Sequence, residues 1–117
     1  MGWDVDLIND QGQTVEVPLQ QEGGIIAIGG SSCASMSVTW NYSKFYYEHV
    51  DKEQGFRWLN GKKAKDTIDR LSKAILELGT SQSYMGYWAS TKGNAGHILN
   101  IMLQWAKLHP EAEWEIS

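Results

Sequence analysis

The chain has 117 residues, 42% hydrophobic and 21% charged, and 10 Lys and Arg against 14 Asp and Glu leave a formal charge of −4, which fits one globular domain over residues 1–117. A single Cys excludes an internal disulfide and a Cys-based zinc cluster, no run approaches the ~20 apolar residues of a membrane span, and duplex nucleic acid asks for clustered Lys and Arg that the chain lacks. The opening Met1-Gly2-Trp3-Asp4 is acidic where a signal peptide is basic, so the expected location is a reducing cytoplasm.

In chain order, Trp3, Val5 and Leu7 alternate with Asp4, Asp6 and Ile8, and after Asn9-Asp10-Gln11-Gly12-Gln13 the pattern resumes at Thr14-Val15-Glu16-Val17. This predicts an N-terminal β-hairpin, ended by Pro18, which lacks a backbone donor. Ile25-Ile26-Ala27-Ile28, held between Gly23-Gly24 and Gly29-Gly30, reads as a short strand. From Ser35 a second alternation places Met36, Val38, Trp40 and Tyr42 on one face. Ser43 is positioned to cap a short helix over Lys44 to Val50, closing before Gly55.

The clearest helix runs from Asn60, a suitable N-cap, to Gly79, a suitable left-handed C-terminal residue. Its apolar stripe is Ala64, Ile68, Leu71, Ile75 and Leu78, and Asp66–Arg70 and Asp69–Lys73 fall at supportive four-residue spacing. A further helix starts after Thr91 and ends near Leu108, before His109-Pro110, with a stripe of Ala95, Ile98, Leu99, Met102, Trp105 and Ala106. Glu113-Trp114-Glu115-Ile116 closes the chain as an edge strand with its glutamates facing water. Strands first, helices next and a closing strand imply an α+β fold: a small antiparallel sheet, the N-terminal hairpin plus further strands, with two main helices packed on one face.

Ser37-Val38-Thr39-Trp40-Asn41-Tyr42-Ser43, Gly55-Phe56-Arg57-Trp58-Leu59-Asn60-Gly61-Lys62-Lys63-Ala64-Lys65, Tyr87-Trp88-Ala89-Ser90-Thr91-Lys92-Gly93-Asn94-Ala95 and His109-Pro110-Glu111-Ala112 together resemble a family of short uncharacterised proteins encoded by bacteriophages, prophages and bacteria. The resemblance covers nearly the whole chain. It implies a viral or mobile-element setting, hence the host cytoplasm for a phage-encoded chain, and carries no catalytic residue over. Small phage proteins without enzymatic motifs often bind a host protein or sequester a host signal molecule, an association at family level.

Catalytic chemistry finds little purchase. Cys33 sits in the small-residue run Ser31-Ser32-Cys33-Ala34-Ser35, where a buried thiol is the plainer reading than a nucleophile. His49, His97 and His109 show no helical metal-ligand spacing, and His109 suits a helix C-terminus. Neither a metal nor a cofactor is expected.

Binding chemistry has more to work with, because 6 Trp and 5 Tyr stand against 2 Phe. Trp40, Tyr42, Phe45, Tyr46 and Tyr47 crowd one strand-to-helix corner, and Tyr84, Tyr87 and Trp88 precede Thr91-Lys92-Gly93-Asn94-Ala95-Gly96. There a helix start offers backbone N–H groups, a lysine and two small residues, the makings of an anion cradle. Convergence of the two clusters would make a stacking slot with Asn41, Tyr42, Arg57, Tyr87, Trp88, Lys92, Gly93, Asn94 and His97 as ligand-binding candidates. Trp3, Trp40 and Trp105 lie on apolar faces and are expected in the core, with Trp114 on the inner side of the last strand. Trp58 and Trp88 remain in connecting segments.

Two functions compete. The first is a non-enzymatic phage or prophage protein that sequesters a small anionic, nucleotide-like host molecule. The alternative is a protein-interaction module that inhibits a host, for instance defence, protein through an aromatic patch, since Trp, Tyr and Arg dominate interface hot spots. A small hydrolase using Cys33 or His97 ranks third. A homo-oligomer is permitted and unspecified.

Overall fold

The computed structural model describes residues 2–17, 33–81, 86 and 89–117. The expected strand at 25–28, its flanking glycines, and Pro18, Tyr84, Tyr87 and Trp88 lie outside these described residues. Within them, strands β1 (Gly2–Ile8), β2 (Ser35–Thr39) and β3 (Glu113–Ile116) form an antiparallel sheet in the order β2-β1-β3. Register follows the pleat: Trp3 faces Val38, Val5 faces Met36 and Ile116, and Leu7 faces Trp114, all buried. Asp4 opposite Ser37 and Ile8 opposite Glu113 lie on the other face, where Ser37 Oγ donates to Asp4 Oδ1 at 3.2 Å. The fold is therefore α+β, with one sheet face covered.

Asn9 organises the turn after β1. Its Oδ1 accepts from the N–H groups of Gln11 and Gln13 at 2.9 and 3.0 Å, an arrangement open to Asn because its side chain mimics a backbone carbonyl. The chain returns as expected, yet Thr14–Val17 forms single bridges, Ile8 to Thr14 and Glu16 to Cys33, in place of a long ladder. Val15 wedges between strands: its N–H donates to the Leu7 carbonyl and its carbonyl accepts from the Ala34 N–H, both at 2.9 Å. His109 holds the far end, with Nε2 2.6 Å from the Glu16 carbonyl oxygen.

Helices α1 (Ser43–His49), α2 (Ile68–Leu78) and α3 (Lys92–Leu108) cover the inner face. Helix α3 begins as its sequence requires, with Thr91 Oγ1 accepting from the Asn94 N–H at 3.2 Å, and Gly79 ends α2 at φ 76°. The start of α2 differs from expectation. Asn60 is no cap: its Oδ1 accepts from the Ile116 N–H at 2.9 Å, and residues 61–64 run beside β3. Gly61 N–H donates to the Trp114 carbonyl at 2.8 Å, Trp114 N–H to Lys62 at 2.9 Å and Ala64 N–H to Ala112 at 2.7 Å. A 3-10 turn, Ala64–Thr67, then leads into α2. The edge of β3 is thus covered by the chain itself, which spares it from pairing with another molecule.

Trp3, Trp105 and Trp114 are buried, as are Tyr42, Tyr46, Phe45 and Phe56. Trp3, Tyr46 and Phe56 form one aromatic group with ring centroids 4.9 to 6.0 Å apart. Trp114 and Thr67 are both fully buried, and Trp114 Nε1 donates to Thr67 Oγ1 at 2.9 Å while that hydroxyl donates to the Ala64 carbonyl at 2.7 Å. A tryptophan buried at the sheet–helix junction needs such an acceptor, since an unmet indole N–H costs about 1–3 kcal/mol. No helix among the described residues is long and apolar enough to cross a membrane.

Candidate functional site

The corner after β2 is where side-chain chemistry redirects the chain. Thr39 keeps extended angles and its Oγ1 accepts from the Asn41 N–H at 3.2 Å, a local bond that competes with continuing a strand. Alternation therefore stops, and Trp40–Tyr42 turns as 3-10 helix directly into α1. Trp40, expected in the core, is 45% exposed, whereas Tyr42, two residues on in a tighter helix, points inward and is fully buried. Ser43 does not cap through an N–H; its Oγ donates to the Trp40 carbonyl at 2.7 Å.

Tyr47 is seven residues beyond Trp40, a spacing that the helical repeat returns to the same side, and is 47% exposed. Its ring rests on Gly55, where a Cβ would meet ring carbons at 3.1 Å and where φ is +58°, so glycine serves both the turn and the ring. Lys44, between the two aromatics on this face, is exposed with Nζ 4.9 Å from the Phe45 centroid. Arg57 is exposed in the following 3-10 turn, Gly55–Leu59.

The start of α3 lies against this corner. Ser90 Oγ donates to the Asn41 carbonyl at 2.8 Å, and the buried Tyr46 hydroxyl donates to the Ala95 carbonyl at 3.1 Å. Corner and helix start, whose convergence the sequence left open, are therefore neighbours. Asn94 is buried, and its Nδ2 donates to the carbonyls of Gly86 and Ala89, both at 2.9 Å; it fastens the segment that precedes the helix. Gly93 and Gly96 admit the chain's own backbone. A Cβ on Gly93 would come within 2.8 Å of the Ser81 carbonyl carbon, and one on Gly96 within 3.0 Å of the Gly79 carbonyl carbon. Of the remaining candidates, Asn41 and Lys92 are exposed, His97 is half-buried on α3, and Tyr87 and Trp88 lie outside the described residues.

Trp58 is half-buried between two cations: Lys62 Nζ lies 4.4 Å and the Arg70 guanidinium carbon 4.2 Å from its ring centroid. Lys62 also donates to the Trp58 carbonyl at 2.8 Å. Arg70 donates to the Val50 carbonyl at 2.6 Å and approaches Asp51 at 3.6 Å, in place of the expected partner Asp66. The N–H of Gln54 holds the Asp51 carboxyl below the usual aspartate range, against some desolvation and with help from the Glu53 N–H and Arg70. His49 Nδ1 lies 3.1 Å from Glu77 and Nε2 3.7 Å from Glu48, linking the end of α1 to α2.

For catalysis and metals the described residues offer little. Cys33 is half-buried beside Glu16, and no group of three or more His, Cys, Asp and Glu is placed to hold a metal among the described residues. The exposed pair Trp40 and Tyr47 is what sequence reasoning missed as a surface. Its signal was Thr39-x-Asn41, a turn-forming pair that interrupts the alternation. No family model, curated protein or solved structure matches the chain.

Proposed function

We propose that the chain is a non-enzymatic binding protein that engages another protein through the corner formed by Trp40 and Tyr47. The carrying observation is that both rings are about half exposed while Trp3, Tyr42, Tyr46, Phe56, Trp105 and Trp114 are buried. Half of a large ring left in water forgoes roughly 100 Å² of apolar burial, about 2.5 kcal/mol each. A partner that covers both recovers that energy, and the exposed Asn41, next to Trp40 in the chain, and Arg57, in the turn that begins at Gly55, are available for polar rim contacts of the kind interfaces use. In the phage or prophage setting that the sequence resemblance implies, the partner is a host protein whose activity is blocked or redirected. Sequestration of a small nucleotide-like anion receives less support, because Gly93, Gly96 and Asn94 serve the chain's own backbone.

The test is affinity capture from host lysate with wild type and a Trp40→Ala/Tyr47→Ala double variant, whose folding is checked by circular dichroism. A stoichiometric partner, lost in the double variant and unaffected by added nucleotides, is the expected result. Retention of the partner by the double variant, or calorimetric binding of a nucleotide that displaces it, refutes the proposal.

A further inference from the structure

We infer, resting on the protein-binding reading above, that the aromatic corner accepts an acidic segment of its partner, whose carboxylates reach Lys44 and Lys92 while an apolar side chain lies across Trp40 and Tyr47.

The argument is the distribution of charge. Although the chain carries −4 overall, its 14 acidic residues are absent from two stretches, 39–47 and 78–110, and return after Tyr47 with Glu48, Asp51 and Glu53. Those two stretches supply the Trp40 turn with most of α1 and the whole of α3, which the Ser90–Asn41 and Tyr46–Ala95 hydrogen bonds hold together. The acids gather elsewhere. Asp4, Asp6, Glu113 and Glu115 project from the uncovered sheet face, and Glu111 is engaged by Lys65 and Lys63 at 3.1 and 3.3 Å. Glu48, the first acid beyond the corner, faces His49.

Within those two stretches every Asp, Glu, Lys or Arg is a lysine. Lys44 and Lys92 are both exposed, and the first turn of the 17-residue α3 adds the partial positive charge of a helix N-terminus. An acidic segment is drawn to this end of the molecule and repelled by the sheet end, which fixes orientation as well as attraction. A single-stranded nucleic acid fits less well, because it needs a continuous basic track and stacked bases over several nucleotides.

Fluorescence anisotropy of the intact chain with short labelled peptides tests this. The probes are an alternating Glu/Leu peptide, its Gln/Leu isostere, and a single-stranded oligonucleotide of similar length. The expected result is saturable binding of the Glu/Leu peptide, weakened by salt. Trp40→Ala weakens it, and a Lys44→Glu/Lys92→Glu double variant weakens it by about tenfold. Both charge reversals fall at helix N-termini, where a carboxylate is favourable, so the double variant keeps its fold. Failure of the Glu/Leu peptide to bind, equal binding of the Gln/Leu peptide, insensitivity to the double reversal, or tighter binding of the oligonucleotide each overturns the inference. A lysate partner lost with Trp40→Ala/Tyr47→Ala but kept by the double reversal leaves the protein-binding reading standing and removes only the acidic segment. A partner kept by the aromatic variant removes both.

Discussion

Gly96→Ala separates close helix packing from an open helix start by the sign of its effect. In an ordinary helix interior, alanine is more favourable than glycine by about 0.8–1 kcal/mol. In α3 the added Cβ would fall on the Gly79 carbonyl oxygen, 3.0 Å from its carbon and 3.1 Å from the Leu78 Cβ. Its chief neighbour is backbone, so no rotamer change relieves the contact, and the helix and the end of α2 must part by on the order of 1.5 Å to reach normal separation. Overpacking of this kind costs typically 1–3 kcal/mol. Here the contact is with backbone and loosens packing around the buried Leu78, Ala95 and Leu99, so the upper end applies. Set against the propensity gain, the net is a loss of about 2 kcal/mol, or a fall in melting temperature of roughly 8 °C for a chain of this size. Urea unfolding followed by tryptophan fluorescence measures it, with Gln104→Ala, exposed on the same helix, as a control expected within about 0.5 kcal/mol of wild type. A stabilised Gly96→Ala protein would show that the space above the first turns of α3 is open, and the anion-cradle reading would return.

Thr67→Val keeps shape but deletes the hydroxyl that joins Trp114 Nε1 to the Ala64 carbonyl; it should destabilise by about 2–3 kcal/mol in urea unfolding. Thr67→Ser, which keeps the hydroxyl and loses a methyl, should cost only about 1 kcal/mol, and equal losses would refute a role for the bond. Asp51 tests the link between α1 and α2. Its carboxyl is held below the ordinary range, first by the Gln54 N–H, so the stabilisation it brings is present above the unfolded-state value of about 3.9 and fades as pH falls through the lower folded-state value. Asp51→Asn should therefore melt below wild type at pH 7, with the gap closing towards pH 2; a gap independent of pH would assign the effect to packing.

How far the sequence discloses this fold depends on whether a residue's partner is near in the chain. Trp3, Val5 and Leu7 need only the pleat to face inward, and Thr91 needs only the N–H of Asn94 three residues on; both were legible. Asn60 was not, because the group its side chain meets belongs to Ile116, 56 residues away. With residues 61–64 drawn out along β3, the helix cannot start until Ile68. Gly93 and Gly96 carry the same ambiguity, since the neighbour that demands glycine is the backbone of residues 79–81.

The candidate site turns on a still smaller event. Met36, Val38, Trp40 and Tyr42 at alternate positions invite the reading of a strand with one apolar face, and a strand would have buried Trp40 and Tyr42 together. One hydroxyl, Thr39 Oγ1 on the Asn41 N–H, ends that alternation. Once the backbone winds, residues two apart can no longer share a face, so burying Tyr42 in the core expels Trp40. The turn then runs into α1 without a break, and the helical repeat brings Lys44 and Tyr47 to the same side as the expelled ring. An exposed aromatic corner with a lysine at its centre is thus a consequence of where the strand stops, and a substitution that let the strand continue, such as Thr39→Val, would be expected to disperse the surface without touching Trp40 or Tyr47.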